Sequence, residues 1–191
     1  KIKPFLKNTY LSSNINDENM SHIFALANLL KITNKSFLNS LNSFKGLPHR
    51  YEIFLRRKNC IFINDSKATT FEATKFALKY TKNIYWILGG LPKKKDKIIL
   101  RDVKKNINKS YIIGENINFF KKQIQNKINF SEAKTLKNSI IQALKDISNN
   151  KKKNISLLFS PASASFDQFL NFEKRGEEFK KLSRFYARKY I

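Results

Sequence analysis

The sequence predicts an α/β fold, an open and mainly parallel sheet with helices on both faces. Strand-like segments alternate with segments of helical periodicity along most of the chain. The run Asn83 to Leu88 (NIYWIL) is apolar almost throughout and ends in Gly89-Gly90, as a strand buried on both faces and running into a loop should be. Small polar residues, glycine and proline gather where such runs end: Asn64-Asp65-Ser66-Lys67, Gly89-Gly90 and Ser160-Pro161.

The opening segment, Lys1 to Asp17, is polar and strand-like at best, with no partner strand in sight. From Glu18 to Leu30, Met20, Ile23, Phe24, Ala27 and Leu30 recur at helical spacing. A second helix is expected over Asn34 to Phe44, ended by Gly46 and Pro48. Tyr51 to Arg57 and Cys60 to Ile63 are β-rich about the turn-like Lys58-Asn59 and predict a hairpin. Phe71 to Tyr80 is helical, and Ser110 to Ile113 and Ile155 to Phe159 repeat the short apolar strand pattern. Helices are expected at Ile117 to Gln125, Ala133 to Ile147 and Phe172 to Tyr186. Ligands of such sheets bind at the carboxyl ends of the strands, so chemistry is sought there.

At 191 residues the chain suits one domain, or one domain and part of another. Its 41% hydrophobic and 13% aromatic content supplies a core and argues against disorder. No apolar run approaches the roughly 20 residues of a membrane helix, and Lys1 to Tyr10 lacks the features of a signal peptide. Cys60 stands alone, so no internal disulfide is possible, and the cytoplasm is the expected location. The formal charge of +24 would suggest a polyanion partner, but 31 of the 38 cations are lysines spread along the whole chain. Only seven are arginines, the better bidentate phosphate and base ligands. No recognition helix or aromatic platform accompanies them, so no nucleic acid and no membrane insertion are expected, and the protein is expected to be a monomer.

Three clusters hold the candidate chemistry. Gly46-Leu47-Pro48-His49-Arg50-Tyr51-Glu52 reads blandly as a tight turn into a strand. In Asn64-Asp65-Ser66-Lys67-Ala68-Thr69-Thr70, Asp65 or Ser66 serves as a helix cap in the bland reading, yet a lysine beside a helix N-terminus also suits an anion. The third runs from Ser160 to Gly176 (SPASASFDQFLNFEKRG), where small residues allow close backbone approach and Ser165 offers a hydroxyl. Two histidines and one cysteine scattered this way do not make a metal site, and no GxxxxGK[ST] phosphate loop occurs.

In order, GLPHRYE, NDSKAT, LGG with a lysine three residues on, and SPASASFDQFxNFExRG resemble the motifs of the D-glutamate-adding Mur ligases, from about Glu18 to the C-terminus. The resemblance implies a Rossmann-like C-terminal domain at 48–191, preceded at 1–47 by a helical remnant of a central ATPase domain. The family joins D-glutamate to UDP-N-acetylmuramoyl-L-alanine through an acyl phosphate, using ATP and Mg2+. Its phosphate loop, carbamylated lysine and metal ligands are expected upstream of residue 1, so the chain alone is not expected to catalyse. By the same resemblance Asn19, His22, Arg50 and Asp65 would face ATP, and Lys67 the reacting phosphate and carboxylate. Thr69 and Lys93 would hold one D-glutamate carboxylate, and Ser165 with the Phe172 backbone amide the other, with Phe166 packing nearby. Lys93 also reads as a solvated lysine of the 93–95 run, and Ser165 as a helix cap. The family's HNxxN segment survives here only as Asn19, with His22 in place of the second asparagine, and Ser163 stands where the family often has cysteine. His49 follows the family pattern without a chemical role. A folate polyglutamylating ligase would share the fold, but the third cluster argues against it. Lys1 to Phe44 is expected to pack poorly.

Overall fold

Strands β1 (Glu52–Arg57), β2 (Cys60–Asn64), β3 (Ile84–Gly89), β4 (Ile107–Ile113), β5 (Phe130–Lys134) and β6 (Ile155–Phe159) form one sheet in the order β1-β2-β6-β3-β4-β5. This is seen in a computed structural model that describes residues 6–8, 11, 16–93, 95–150 and 152–191. β1 pairs antiparallel with β2 across the expected hairpin, and every other pairing is parallel. The predicted open, mainly parallel α/β fold is the fold that forms. Helices α3 (Phe71–Tyr80) and α4 (Ile117–Ile124) cover one face, and α5 (Leu136–Ser148) and α6 (Phe172–Tyr190) cover the other.

β3 shows why its sequence had to be apolar throughout. Tyr85 and Ile87 enter the core under α5 and α6, while Ile84, Trp86 and Leu88 enter the core under α3 and α4. Alternate side chains of a strand point to opposite faces, and here both are covered. Trp86 is fully buried and donates its indole N–H to the Ser160 carbonyl at 2.8 Å, so its one polar atom is satisfied. Three of the helices packed on the sheet start on a side-chain cap: Thr70 accepts from the Ala73 N–H, Thr135 from Asn138 and Asn171 from Lys174.

Three boundaries differ from expectation. A fifth parallel strand, β5, occupies 130–134, and α5 begins at Leu136 rather than Ala133. β5 lies at the edge and buries only Ala133, so it lacks the apolar signature of its neighbours. β4 starts at Ile107, after a 3-10 turn at Lys104–Asn106, and α6 continues to Tyr190.

The chain divides into two compact units, Lys1–Pro48 and His49–Ile191. The first contains α1 (Asp17–Leu29) and α2 (Asn34–Ser43) around a small core of Leu11, Ala27, Phe37 and Leu41. Most of the opening segment expected to be strand-like (1–5, 9–10 and 12–15) lies outside the described residues. Asn19 and His22 are exposed on α1 of this unit.

Candidate active site

The carboxyl ends of β2, β6 and β3 are adjacent because β6 lies between the other two. Each strand runs into one of the loops that the sequence singles out, and backbone hydrogen bonds draw those loops together. The Asp65 N–H donates to the Phe159 carbonyl at 2.8 Å, and the Gly89 N–H to the Pro161 carbonyl at 3.0 Å. Leu91 and Ala164 form an isolated bridge, exchanging N–H···O bonds of 2.9 and 3.1 Å. Lys93 follows two residues after one side of that bridge, and Ser165 directly follows the other. Gly90 is required at this junction: its φ is +137°, and a Cβ there would lie 2.4 Å from the Ala164 carbonyl oxygen.

The turn carrying Lys67 is held on all sides. The Lys67 N–H donates to the His49 carbonyl at 3.0 Å, and the Ala68 N–H to the Asp65 carbonyl at 2.9 Å. Ser66 N–H donates to Asn64 Oδ1, and the Ser66 hydroxyl donates to the Phe172 carbonyl at 2.8 Å. Lys67 itself is exposed, and its Nζ stands 3.9 Å from the centre of the Phe172 ring. A cation over an aromatic face keeps its charge while losing freedom to swing away. Phe172 is the first residue of α6, so its backbone N–H has no partner within the helix and remains available to an anion. Thr69 is half-buried in the same turn, Ser165 is buried, and Phe166 is exposed. Lys93 is exposed, and its backbone N–H donates to Asp96 Oδ2 at 3.1 Å.

His49 and Tyr51 have φ of 63° and 47°, a left-handed conformation unusual outside glycine, and Arg50 projects exposed between them. The strained turn is held by two carboxylates: Glu52 accepts from the His49 N–H and Asp65 from the Tyr51 N–H, both at 3.0 Å. Asp65 is nearly inaccessible, and its second oxygen accepts the Ser160 hydroxyl at 2.7 Å. Burial pushes its pKa up to about 7, against the opposing pull of the Ser160 hydroxyl, the Tyr51 amide and the Arg50 charge. Asn64 Nδ2 donates to Glu52 and meets His49 Nδ1 at 2.9 Å, so that ring nitrogen accepts and the imidazole is neutral. Burial and the Lys180 charge hold the His49 pKa below its ordinary value, against Glu52, Glu177 and Glu173. Glu52 also pairs with Lys180 at 2.9 Å; burial alone would raise its pKa, but the His49 amide, Lys180 and Asn64 together lower it.

The structure thus gathers Arg50, Asp65, Lys67, Thr69, Lys93, Ser165, Phe166 and Phe172 onto the strand-end loops of one sheet. Asn19 and His22 belong to the first unit. Asn64, Ser66, Ser160 and Arg175 lie within the motifs but carry no expected ligand role; the structure shows that they build the loops rather than line them. Arg175 had a legible signal: with Phe179, Ser183 and Ala187 it forms a buried stripe at intervals of four, so an arginine occupies a core-facing position. Among the described residues no group of three or more His, Cys, Asp or Glu side chains gathers to hold a metal. No described helix is long and apolar enough to cross a membrane.

No family model matches the chain. It is 38% identical over 164 residues to the UDP-N-acetylmuramoylalanine--D-glutamate ligase of Wolbachia from Brugia malayi, covering 86% of this chain and 33% of that protein. The Bartonella henselae ligase of the same name is 42% identical over 82% of this chain and 34% of its own length. That of Rickettsia felis is 35% identical over 95% of this chain and 40% of its own. The chain therefore spans about a third of the length of the curated relatives it matches. A crystal structure of the MurF ligase from Thermotoga maritima in complex with ADP superposes over 87% of this chain and 37% of that one, with a TM-score of 0.60 and 15% identity, a likeness of fold.

Proposed function

We propose that this chain, which is 35–42% identical over 82–95% of its length to UDP-N-acetylmuramoylalanine–D-glutamate ligases, belongs to that family and forms the C-terminal, amino-acid-binding part of a cytoplasmic ATP-dependent ligase of peptidoglycan synthesis. Residues 48–191 bind D-glutamate at the carboxyl edge of the sheet, and 1–47 close a central ATPase domain. The observation that carries the proposal is the convergence of the 64–70, 89–93 and 160–172 loops. Together they present two lysines, hydroxyls and a free helix-terminal amide to one small dianion.

The reaction is amide formation. ATP transfers its terminal phosphate to the carboxylate of UDP-N-acetylmuramoyl-L-alanine; the D-glutamate amine then attacks the acyl carbon, the C–O bond to phosphate breaks, and the amine loses a proton. The difficulty is to hold several anions together, which preorganised cations and amide dipoles solve. Lys67 screens the phosphate and carboxylate. Thr69 and Lys93 bind one D-glutamate carboxylate, and Ser165 with the Phe172 N–H binds the other, beside Phe166. Arg50 offers its fork to phosphate. Asp65 would accept ribose hydroxyls in addition to the two bonds it already accepts. The described residues do not form a magnesium site.

The test is phosphate release by the full-length protein with ATP and UDP-N-acetylmuramoyl-L-alanine. Release should depend on D-glutamate, and a Lys93→Ala, Ser165→Ala pair should raise the D-glutamate KM while sparing that of ATP. Turnover that ignores D-glutamate sinks the proposal.

A further inference from the structure

Arg175 lies beneath all three loops and lines none of them. It is 1% exposed on the first turn of α6. Its Nε donates to the Ser66 hydroxyl at 3.1 Å, and its Nη2 donates to the carbonyls of Ser66 at 2.8 Å and Ser163 at 3.0 Å. Its Nη1 is buried without a partner among the described residues, 3.2 Å from where a Cβ on Gly90 would stand. One planar guanidinium therefore contacts the Lys67 turn and the Ser165 loop, and faces the Gly90 junction that leads to Lys93. Through Ser66, whose hydroxyl donates to the Phe172 carbonyl, it also sets the start of α6.

Among the described residues its charge has no counter-ion within ion-pair distance. None of the described ion pairs involves Arg175, and the nearest carboxylate influence is that of Asp167 at longer range. A buried charge with no opposite partner is costly to keep, and hydrogen bonds to three oxygens do not by themselves require a net charge. Substrate anions arriving above the loops would supply the missing counter-charge.

Resting on the functional reading above, we propose that Arg175 is a positioning residue for amide formation: it sets the relative places of Lys67, Ser165 and the Phe172 amide, and lends a buried positive charge to the anions they hold. Arg175→Lys keeps the charge but cannot reach Ser66 and Ser163 together. In the full-length protein it should lower kcat by about 100-fold, the scale of a small misplacement of reacting groups, with a D-glutamate KM near that of the parent. Arg175→Met removes the charge as well and should also raise the D-glutamate KM about tenfold, the worth of one charge-assisted contact. The ATP KM should stay within about twofold in both. A purely structural role would reduce the fraction of folded enzyme and leave that split unseen. Should Arg175→Met fail to fold, Arg175→Lys and Ser66→Ala decide, each expected to lower kcat per folded molecule. Folded variants with parental kcat and D-glutamate KM overturn the inference alone. A parent that releases no phosphate in response to D-glutamate overturns the functional reading, and this inference with it.

Discussion

The two compact units bury their apolar residues to very different degrees. In His49–Ile191 the sheet is packed on both faces, and Phe62, Trp86, Leu88, Phe159 and Phe179 are wholly inaccessible. In Lys1–Pro48 four of the described residues form the buried core, while Leu26, Leu29 and Leu30 are 55%, 79% and 63% exposed. Both units contain regular helices begun by a threonine cap, Thr33 in the first and Thr70 and Thr135 in the second. The difference teaches that local signals suffice to start a helix, but a packed face is what makes it resist unfolding.

The sharpest way to break the comparison is to truncate one aromatic in each unit. Phe179→Ala removes a ring packed at 4.7 Å from Phe159 and 5.5 Å from Phe54, and should cost about 3–5 kcal/mol. Phe37→Ala should cost only about 1–2 kcal/mol, because a core this small and open can collapse around the loss. Urea unfolding followed by fluorescence of Trp86, the single tryptophan, reads the second unit, and circular dichroism of the helices reads the first; equal losses would show that the two cores are equally consolidated.

Buried polar groups supply the next contrast. In the first unit Asn16 is the one buried polar residue described, whereas the second hides Asp65, His49 and Arg175. Asp65 has its folded pKa raised by burial from an ordinary 3.8 to about 7, so the folded state retains a proton that the unfolded chain has released. The protein should gain stability from this group as pH falls from 7 towards 4 and lose it as pH rises. Asp65→Asn should flatten that part of the pH–stability curve, by a few kcal/mol at most. His49 acts in the opposite sense, because its lowered pKa resists protonation as pH falls below 6.5; the difference between parent and Asp65→Asn separates the two. Parallel curves for both proteins would show that Asp65 is ionised in the fold.

The smallest effect concerns the caps. Thr70→Ala should cost about 1 kcal/mol in the Trp86-monitored transition, having lost the bond from the Ala73 N–H. Thr33→Ala deletes the equivalent bond from Ser36 and should leave that transition within about 0.5 kcal/mol of the parent. Equal shifts would mean that the units unfold as one.

Much of the fold was legible. Ile155–Phe159 and Phe71–Tyr80 have the predicted limits because each carries an uninterrupted signal of one period, bounded by turn residues. β5 escaped because an edge strand needs no apolar alternation, so Phe130 to Glu132 gave no signal and Ala133-Lys134 read as the start of the following helix. The candidate site residues lie in motifs of the sequence, and all but Asn19 and His22 fall at the sheet edge where the α/β class leads one to look. What escaped was the support: nothing in NDSKAT announces that Ser66 meets an arginine 109 residues away.

By itself the sequence determined the local elements, the caps, the glycine junction and the kinds of side chain available at each strand end, because periodicity and backbone preference act over a few residues. Only the tertiary structure decided that β6 inserts between β2 and β3, that both oxygens of Asp65 are taken by protein donors, and that Arg175 lies beneath three loops with no ion pair among the described residues. Those outcomes depend on which distant segments share a buried interface, where satisfying one polar group constrains another far along the chain, and no short window of residues contains that information.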